Sequence, residues 1–432
     1  MSRLLLTLSE TTADNALQNG SFDEVFLWTR NGRTNFSGGV DPYLAILGAV
    51  HPRNVDLVRI ALAVLAADRS VYRKAWGSNW NARDFDLTVE VDDIGIWTTH
   101  AEQLARIVGF LSGDHWVFSF AQAPVSVGVD LPIEGQHHDR TVLLSGGADS
   151  AAGALLSASE LSGDHSQSLV SQYSSTVISP VQQRIVRAIK ELVPGIRQVH
   201  HQFHLHRLSK RLDGSSFRSE TSTRSRSLLF LALGLAVAER AGSTLWIPEN
   251  GFASLNPPLG PDRRGALSTH TTHPRFLREL SALMQSVGGH GLIENPFETL
   301  TKGEMFRRVA DVVGVDAASS YLSSTNSCSH TDARYSRASA GSSCGVCFGC
   351  LVRRAAFNAA GIPDATIYLS DDANGRYYTF VRQKSIVEPL RDFVDRGIRQ
   401  RDVMAMSLPE GYPAQDARAL SQRGVDELRG LF

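Results

Sequence analysis

From residue 141 onward the chain repeats one rhythm: a short apolar run, a loop of small residues, then a longer segment with helical spacing. TVLL (141–144) reads as a buried strand and SAAGALLSASE (150–160) as a helix. SLVSQYSS (168–175) and QVHHQFHL (198–205) read as strands on either side of the helix PVQQRIVRAIKEL (180–192). SRSLLFLALGLAVAERAG (225–242) predicts a long buried helix closed by glycine, and STLWIP (243–248) a further strand. Strands alternating with helices predict the α/β class: a doubly wound parallel sheet with helices on both faces and ligands beyond the carboxyl ends of its strands.

The first 135 residues have a different texture. DLTVEV (86–91) alternates, with Leu87, Val89 and Val91 on one face, and HWVFSFAQ (115–122) alternates again. An amphipathic helix at 99–111 lies between them. This pattern predicts a small α/β or α+β accessory domain over 1–135, and LPIEGQHHDR (131–140) reads as a polar linker.

Composition narrows the class. At 432 residues the chain is long enough for two or three domains, and 42% hydrophobic with 20% charged residues is ordinary for a globular protein. The longest apolar run, LLFLALGLAVA (228–238), is too short to cross a bilayer, so no membrane partner is expected. MSRLLLTLSE lacks the full apolar core and cleavage site of a signal peptide, so a cytoplasmic location is expected. A formal net charge of −1 supplies no global field for nucleic acid.

Two motifs carry chemistry. The first, SGGADS (145–150), follows a strand and opens a helix. Consecutive glycines there let backbone N–H groups face an anion, Ser145 and Ser150 offer hydroxyls, and Asp149 offers a carboxylate for magnesium. A plain strand-to-helix turn capped by Asp149 or Ser150 has the same composition. Neither GxxxxGK[ST] nor GxGxxG occurs there. The second motif holds all four cysteines, Cys328, Cys344, Cys347 and Cys350, spaced C-x15-C-x2-C-x2-C. That spacing suits a closed, structural tetrahedral zinc site, with an iron–sulfur cluster or buried free thiols as the alternatives.

SGGADS resembles the SGGxDS signature of the PP-loop ATP pyrophosphatases. The resemblance implies ATP binding at Leu144, Ser145, Gly146, Gly147, Ala148, Asp149 and Ser150, with cleavage between the α and β phosphates. Joined to the cysteine knuckle, it resembles the 7-cyano-7-deazaguanine synthase (QueC) family. SRSLLFLALGLAVAE then puts Arg226 at the arginine that approaches the nucleotide. NPFETLTKGEM (295–305) puts Thr301 and Lys302 near the phosphates. STNSC (324–328) and CLVRRAAFNAAGI (350–362) match the flanks of the metal site, with Arg353 at a recurrent arginine. The resemblance covers about 141–364. It implies a HUP-type PP-loop catalytic domain over 141–365, with the zinc knuckle at 328–350 and a C-terminal extension at 366–432. Asp149, Lys302 and Arg226 become the catalytic set. ATP, Mg²⁺ and structural Zn²⁺ become the cofactors, a 7-carboxy-7-deazaguanine-like molecule the substrate, and a homodimer the assembly.

The chain also departs from that family. It has a long N-terminal region, a longer gap after Cys328, and PENGFASLNPPLGPDRRGALSTHTTHP (248–274) in place of the substrate segment with its Tyr-Pro-Asp-Cys-Arg pattern. These departures resemble the QueC-like proteins of bacterial anti-phage systems, the QatC type. They imply adenylation of a deazaguanine carboxylate followed by attack of an amine, which belongs to ammonia or to a protein acceptor of the same defence system. A non-catalytic nucleotide-binding scaffold is the alternative of another class.

Three other features are expected to be secondary. His200, His204 and His206 share a strand face with His201 opposite, either as a sheet edge or as a metal set without a spaced carboxylate. The basic, serine-rich stretch 207–226 reads as a mobile loop over the nucleotide and lacks the interleaved aromatics of a nucleic-acid site. His270 and His273 read as a general base or as satisfied loop histidines.

Overall fold

The computed structural model describes residues 1–29, 32–38, 50–73, 82–124, 137–161, 163–173, 178–258, 270–329, 338, 342–372 and 375–432. Most of the 131–140 linker and part of the 248–274 loop therefore lie outside the described residues. No helix among them is long and apolar enough to cross a membrane.

The elements run β1 (Ser2–Thr7), α1 (Glu10–Asn19), β2 (Glu24–Leu27), α2 (Pro52–Ser70), β3 (Asp84–Val91), α3 (Ile94–Thr99), α4 (Ala101–Ser112) and β4 (His115–Gln122). Next come β5 (Arg140–Leu143), α5 (Ala148–Glu160), β6 (Ser166–Tyr173), α6 (Ser179–Leu192), β7 (Arg197–His204), α7 (Arg226–Ala241), β8 (Thr244–Trp246) and α8 (Gly251–Leu255). The chain continues through α9 (Pro274–Ser286), β9 (Ile293–Glu294), α10 (Lys302–Val313), α11 (Val315–Ser323) and α12 (Phe348–Ala360). It ends in α13 (Tyr378–Lys384), α14 (Val387–Arg396), α15 (Gln400–Met404) and α16 (Ala414–Arg429).

The strands form two parallel sheets, ordered β2-β1-β3-β4 and β7-β6-β5-β8-β9. In the first, Leu4 pairs with Leu87 and Leu6 with Val89, so the alternating apolar positions stack into one layer. Phe85 opposite Trp116 stacks at 4.2 Å between ring centroids. The second sheet is the doubly wound sheet anticipated from the strand–helix rhythm.

By packing, the chain divides into two units. One comprises Met1–Thr141, Gln202–Leu245 and Gly265–Ile293; the other comprises Val142–His201, Trp246–Arg264 and Glu294–Phe432. The core of the second unit is built from Val142, Leu144, Leu155, Ile185, Phe306, Leu322 and Phe357, each from a different element or turn. Gly153 is needed inside α5 because a Cβ there would come within 2.2 Å of the Pro248 side chain.

The first unit is held by a buried charge network. Asp68, fully buried at the end of α2, accepts hydrogen bonds from the Arg73 and Arg83 guanidiniums, the Arg224 and Ser225 amides and the Ser225 hydroxyl. Asp114 accepts from the same two arginines. Burial acts to raise the Asp68 pKa, but Arg83 and Arg73 outweigh it and hold the carboxyl below its ordinary value. The basic 207–226 stretch is thereby tied down rather than mobile. Arg211 also pairs with Glu24, Arg207 lies over Phe217 at 4.3 Å, and the Glu220 amide donates to the Arg69 carbonyl. Asp68→Asn is expected to destabilise the fold by about 3–5 kcal/mol in a denaturant titration, because two buried guanidiniums lose a charge partner. The Asp68 contribution is present at neutral pH and is lost as acid approaches its lowered folded pKa.

Candidate active site and metal centre

The first motif forms the turn between β5 and α5. Leu144 still belongs to the sheet: its amide donates to Val170 at 2.7 Å, its carbonyl accepts from the Ser171 hydroxyl, and its side chain is buried in the core. Gly146 then takes φ +94°, a conformation that l-side chains rarely adopt, and Gly147 becomes the N-cap of α5 with no side-chain capping bond. The Ser145 and Ser150 hydroxyls are 3.0 Å apart, and Ser150 also accepts from the Ser145 amide and donates to the Gly147 carbonyl. Neither Asp149 nor Ser150 caps the helix, so the plain capped turn is not what forms. A helix start without its own side-chain cap, behind a glycine turn, is the local structure an anion uses.

Asp149 turns away from the helix start toward two other segments. Its carboxylate forms a buried ion pair with Lys302 and accepts from the Asn250 side-chain amide at 3.1 Å. The same Asn250 amide donates to the Glu249 carboxyl at 3.1 Å, while its carbonyl oxygen caps α8 by accepting from the Ala253 amide. Lys302 is held as the first residue of α10, whose start is fixed by a reciprocal capping box between Thr301 and Glu304. The Thr301 hydroxyl also contacts Glu427 of α16, whose carboxyl accepts from the Gly303 amide at 3.2 Å. Burial raises the Glu427 pKa.

Four residues thus converge here: Asp149, Glu249, Asn250 and Lys302. Sequence reasoning had reached Asp149 and Lys302 and passed over Glu249 and Asn250. The missed signal is the place of PEN at the carboxyl end of β8, the sheet neighbour of β5. Arg226 opens α7 in the first unit. It is exposed to solvent.

The four cysteine sulfurs lie within 4.8 Å of one another and form no disulfide. Cys344 to Cys350 is 3.9 Å and Cys347 to Cys328 is 4.0 Å. A tetrahedron of zinc–sulfur bonds of about 2.3 Å has edges of about 3.8 Å, so the donor set fits zinc. The Val346 and Cys347 amides point at Cys344 Sγ at 3.4 and 3.3 Å, which suits a thiolate in a knuckle. With all four corners from protein, such a metal is structural.

The knuckle is joined to the glycine turn. The Asn326 amide donates to the Gly146 carbonyl at 2.9 Å, and the Ala148 amide donates to the Ser327 hydroxyl at 3.3 Å, immediately before Cys328. Arg353, fully buried, braces this segment through the Leu322 and Thr325 carbonyls.

The histidines take structural parts. His200 bonds the Ser171 hydroxyl at 2.8 Å, and burial first, then His201, lowers its pKa to about 4. His206 falls beyond the end of β7, and burial first, then His204, lowers it likewise to about 4. His270 bonds the Phe110 carbonyl at 2.8 Å and stacks on its ring, and His273 caps α9 through the Arg275 amide.

No protein-family profile matches the chain. Among curated proteins, it is 31% identical over 150 residues to the 7-cyano-7-deazaguanine synthase of Myxococcus xanthus, covering 33% of this chain and 55% of that protein. It is 35% identical over 150 residues to the enzyme of the same name from Novosphingobium aromaticivorans, covering 33% and 54%. The Cupriavidus taiwanensis enzyme of that name is 29% identical over 244 residues, 52% of this chain and 96% of that protein. The chain spans about half the length of the first two relatives.

Proposed function

We propose that this chain, a member of the 7-cyano-7-deazaguanine synthase family, uses ATP to adenylate a 7-deazaguanine carboxylate and then lets an amine displace AMP. The observation that carries this reading is the glycine turn at the α5 start, where Gly147 supplies no side-chain cap and only serine hydroxyls meet the first amides, with the Asp149–Lys302 pair buried beside it.

A carboxylate is a poor electrophile because its leaving group is oxide. Adenylation makes that oxygen part of a phosphate ester, so AMP can leave. The work of the protein is positioning and charge neutralisation. In this reading the Gly146–Ser150 turn holds the pyrophosphate, and Lys302 supplies positive charge as the bond between the α and β phosphates breaks. Magnesium accompanying ATP would neutralise the phosphate oxygens, with Asp149 the carboxylate nearest the turn. The Cys328, Cys344, Cys347 and Cys350 metal holds the segment that touches the turn.

Ammonia as the amine carries the product toward the nitrile. An amine of a partner protein gives a deazaguanine conjugate, a variant supported by the absence of the Tyr-Pro-Asp-Cys-Arg pattern from 248–274. An anti-phage setting rests on the same departures from the family.

The test is product analysis with ATP, Mg²⁺ and 7-carboxy-7-deazaguanine. Substrate-dependent AMP and pyrophosphate are expected. ADP, or no nucleotide turnover with either ammonia or candidate protein acceptors, contradicts the reading.

A further inference from the structure

The C-terminal helix α16 lies beyond the 141–364 stretch that carries the family resemblance, yet both segments that meet Asp149 rest on it. Its helical spacing buries one face, with Ala417, Leu420, Gly424 and Leu428 turned inward. Leu420 and Leu428 share a core with Phe252 and Leu255 of α8 and with Leu351 and Ala355 of α12. Gly424 permits the close approach, because a Cβ there would overlap the Phe252 ring. Helix α8 begins directly after Glu249 and Asn250, so the Asn250 amide that bonds Asp149 is seated on α16.

The second segment is the start of α10. Arg423 pairs with Glu304 at 2.9 Å and donates to the Thr299 carbonyl at 2.7 Å. One helical turn further on, the Glu427 carboxyl accepts from the Thr301 hydroxyl and, at 3.2 Å, from the Gly303 amide. Those two residues flank Lys302 on either side. A Cβ at Gly303 would overlap the Glu427 carboxyl, so only glycine leaves room for the contact. The two segments are also tied to each other, the Gly251 amide donating to the Leu300 carbonyl at 2.7 Å.

The capping box of Thr301 and Glu304 joins residues three apart, so it fixes the direction of the first turn but not where that turn stands in the molecule. Glu427 supplies the long-range tie, from 126 residues along the chain. Lys302 is buried, so its ammonium has little room to find another place once its backbone is set. Misplacing a reacting group by about 1 Å costs about 10²-fold in rate. Resting on the adenylation reading above, we propose that Glu427 is a positioning residue for that reaction. Acting through Thr301 and Gly303, it sets where the Lys302 ammonium stands as the bond between the α and β phosphates breaks.

ATP–pyrophosphate exchange dependent on 7-carboxy-7-deazaguanine reports adenylation without needing an acceptor. Glu427→Ala, measured well below its unfolding transition, should lower the maximal exchange rate by about 10–10²-fold and leave the KM for ATP within about threefold. A lysine that acts on the departing pyrophosphate is lost from the transition state rather than from ground-state binding. Glu427→Gln keeps an oxygen for the Gly303 amide and a polar group for Thr301, and should recover to within about threefold of the unmodified protein. In the Lys302→Met background, Glu427→Ala should change the residual rate by less than about twofold, because nothing is left to position. Should Glu427→Ala not fold, Gly303→Ala, whose Cβ pushes the carboxyl aside, takes its place in the same cycle. Losses that multiply in the double variant, a raised KM with an unchanged maximal rate, unchanged kinetics, or a Gln variant as poor as the Ala variant overturn the positioning role alone. No exchange in the unmodified protein overturns the adenylation reading and the positioning role with it.

Discussion

Asp149→Asn is expected to lower substrate-dependent AMP release by about 10²–10³-fold, the range found when one preorganised charge-stabilising group is removed. The substitution keeps a side chain able to meet Asn250 but leaves the buried Lys302 ammonium without its charge partner. Two effects follow. Folding stability drops by up to about 3–5 kcal/mol, since a buried cation has lost its counter-ion. Catalysis drops because the turn loses the carboxylate at its centre. The two are separable by measuring AMP release well below the unfolding transition; adding Lys302→Met removes the stranded charge and isolates the stability effect, since Lys302 itself belongs to the catalytic set. The double variant should regain stability but not activity. If Asp149→Asn turns over at the unmodified rate, Asp149 is only a structural partner of Lys302.

Cys347→Ser is expected to have the largest effect on stability. Cys347 is the N-cap of α12, Cys350 lies in its first turn, and Cys344 ends the loop before it. Cys328 anchors the segment whose Asn326 and Ser327 bond the glycine turn. Breaking the donor set frees a helix start, a loop and the support of the turn together. Loss of a structural metal belongs to the small class of changes costing more than about 4 kcal/mol. About one zinc per chain should be released from the unmodified protein to a chromophoric chelator, and far less from the variant. The thermal midpoint should fall together with the metal content. A variant that keeps both refutes the four-thiolate site.

The legible parts of the molecule are those governed by local periodicity. The runs at 141–144 and 115–122 and the apolar stretch within 225–242 became β5, β4 and α7 because short apolar runs, alternation and glycine stops are decided over a few residues. The cysteine knuckle was legible because two-residue gaps allow few geometries. Glu249 was not. Its partner Asp149 is 100 residues away, and only the crossover that sets β8 beside β5 makes them neighbours. The 207–226 stretch misled for the same reason. Arg211 pairs with Glu24 of β2, and the Arg224 and Ser225 amides bond Asp68 of α2, partners that only the fold brings near. Long-range charge pairing leaves no periodic trace in the chain.

The most direct test of the central claim follows one oxygen atom. With ATP, Mg²⁺, an amine and 7-carboxy-7-deazaguanine carrying ¹⁸O in its carboxylate, adenylation transfers one carboxylate oxygen to the nucleotide. Mass spectrometry should then find the label in the phosphate of AMP. Unlabelled AMP, or label appearing in inorganic phosphate alongside ADP, would contradict adenylation at the Asp149 turn.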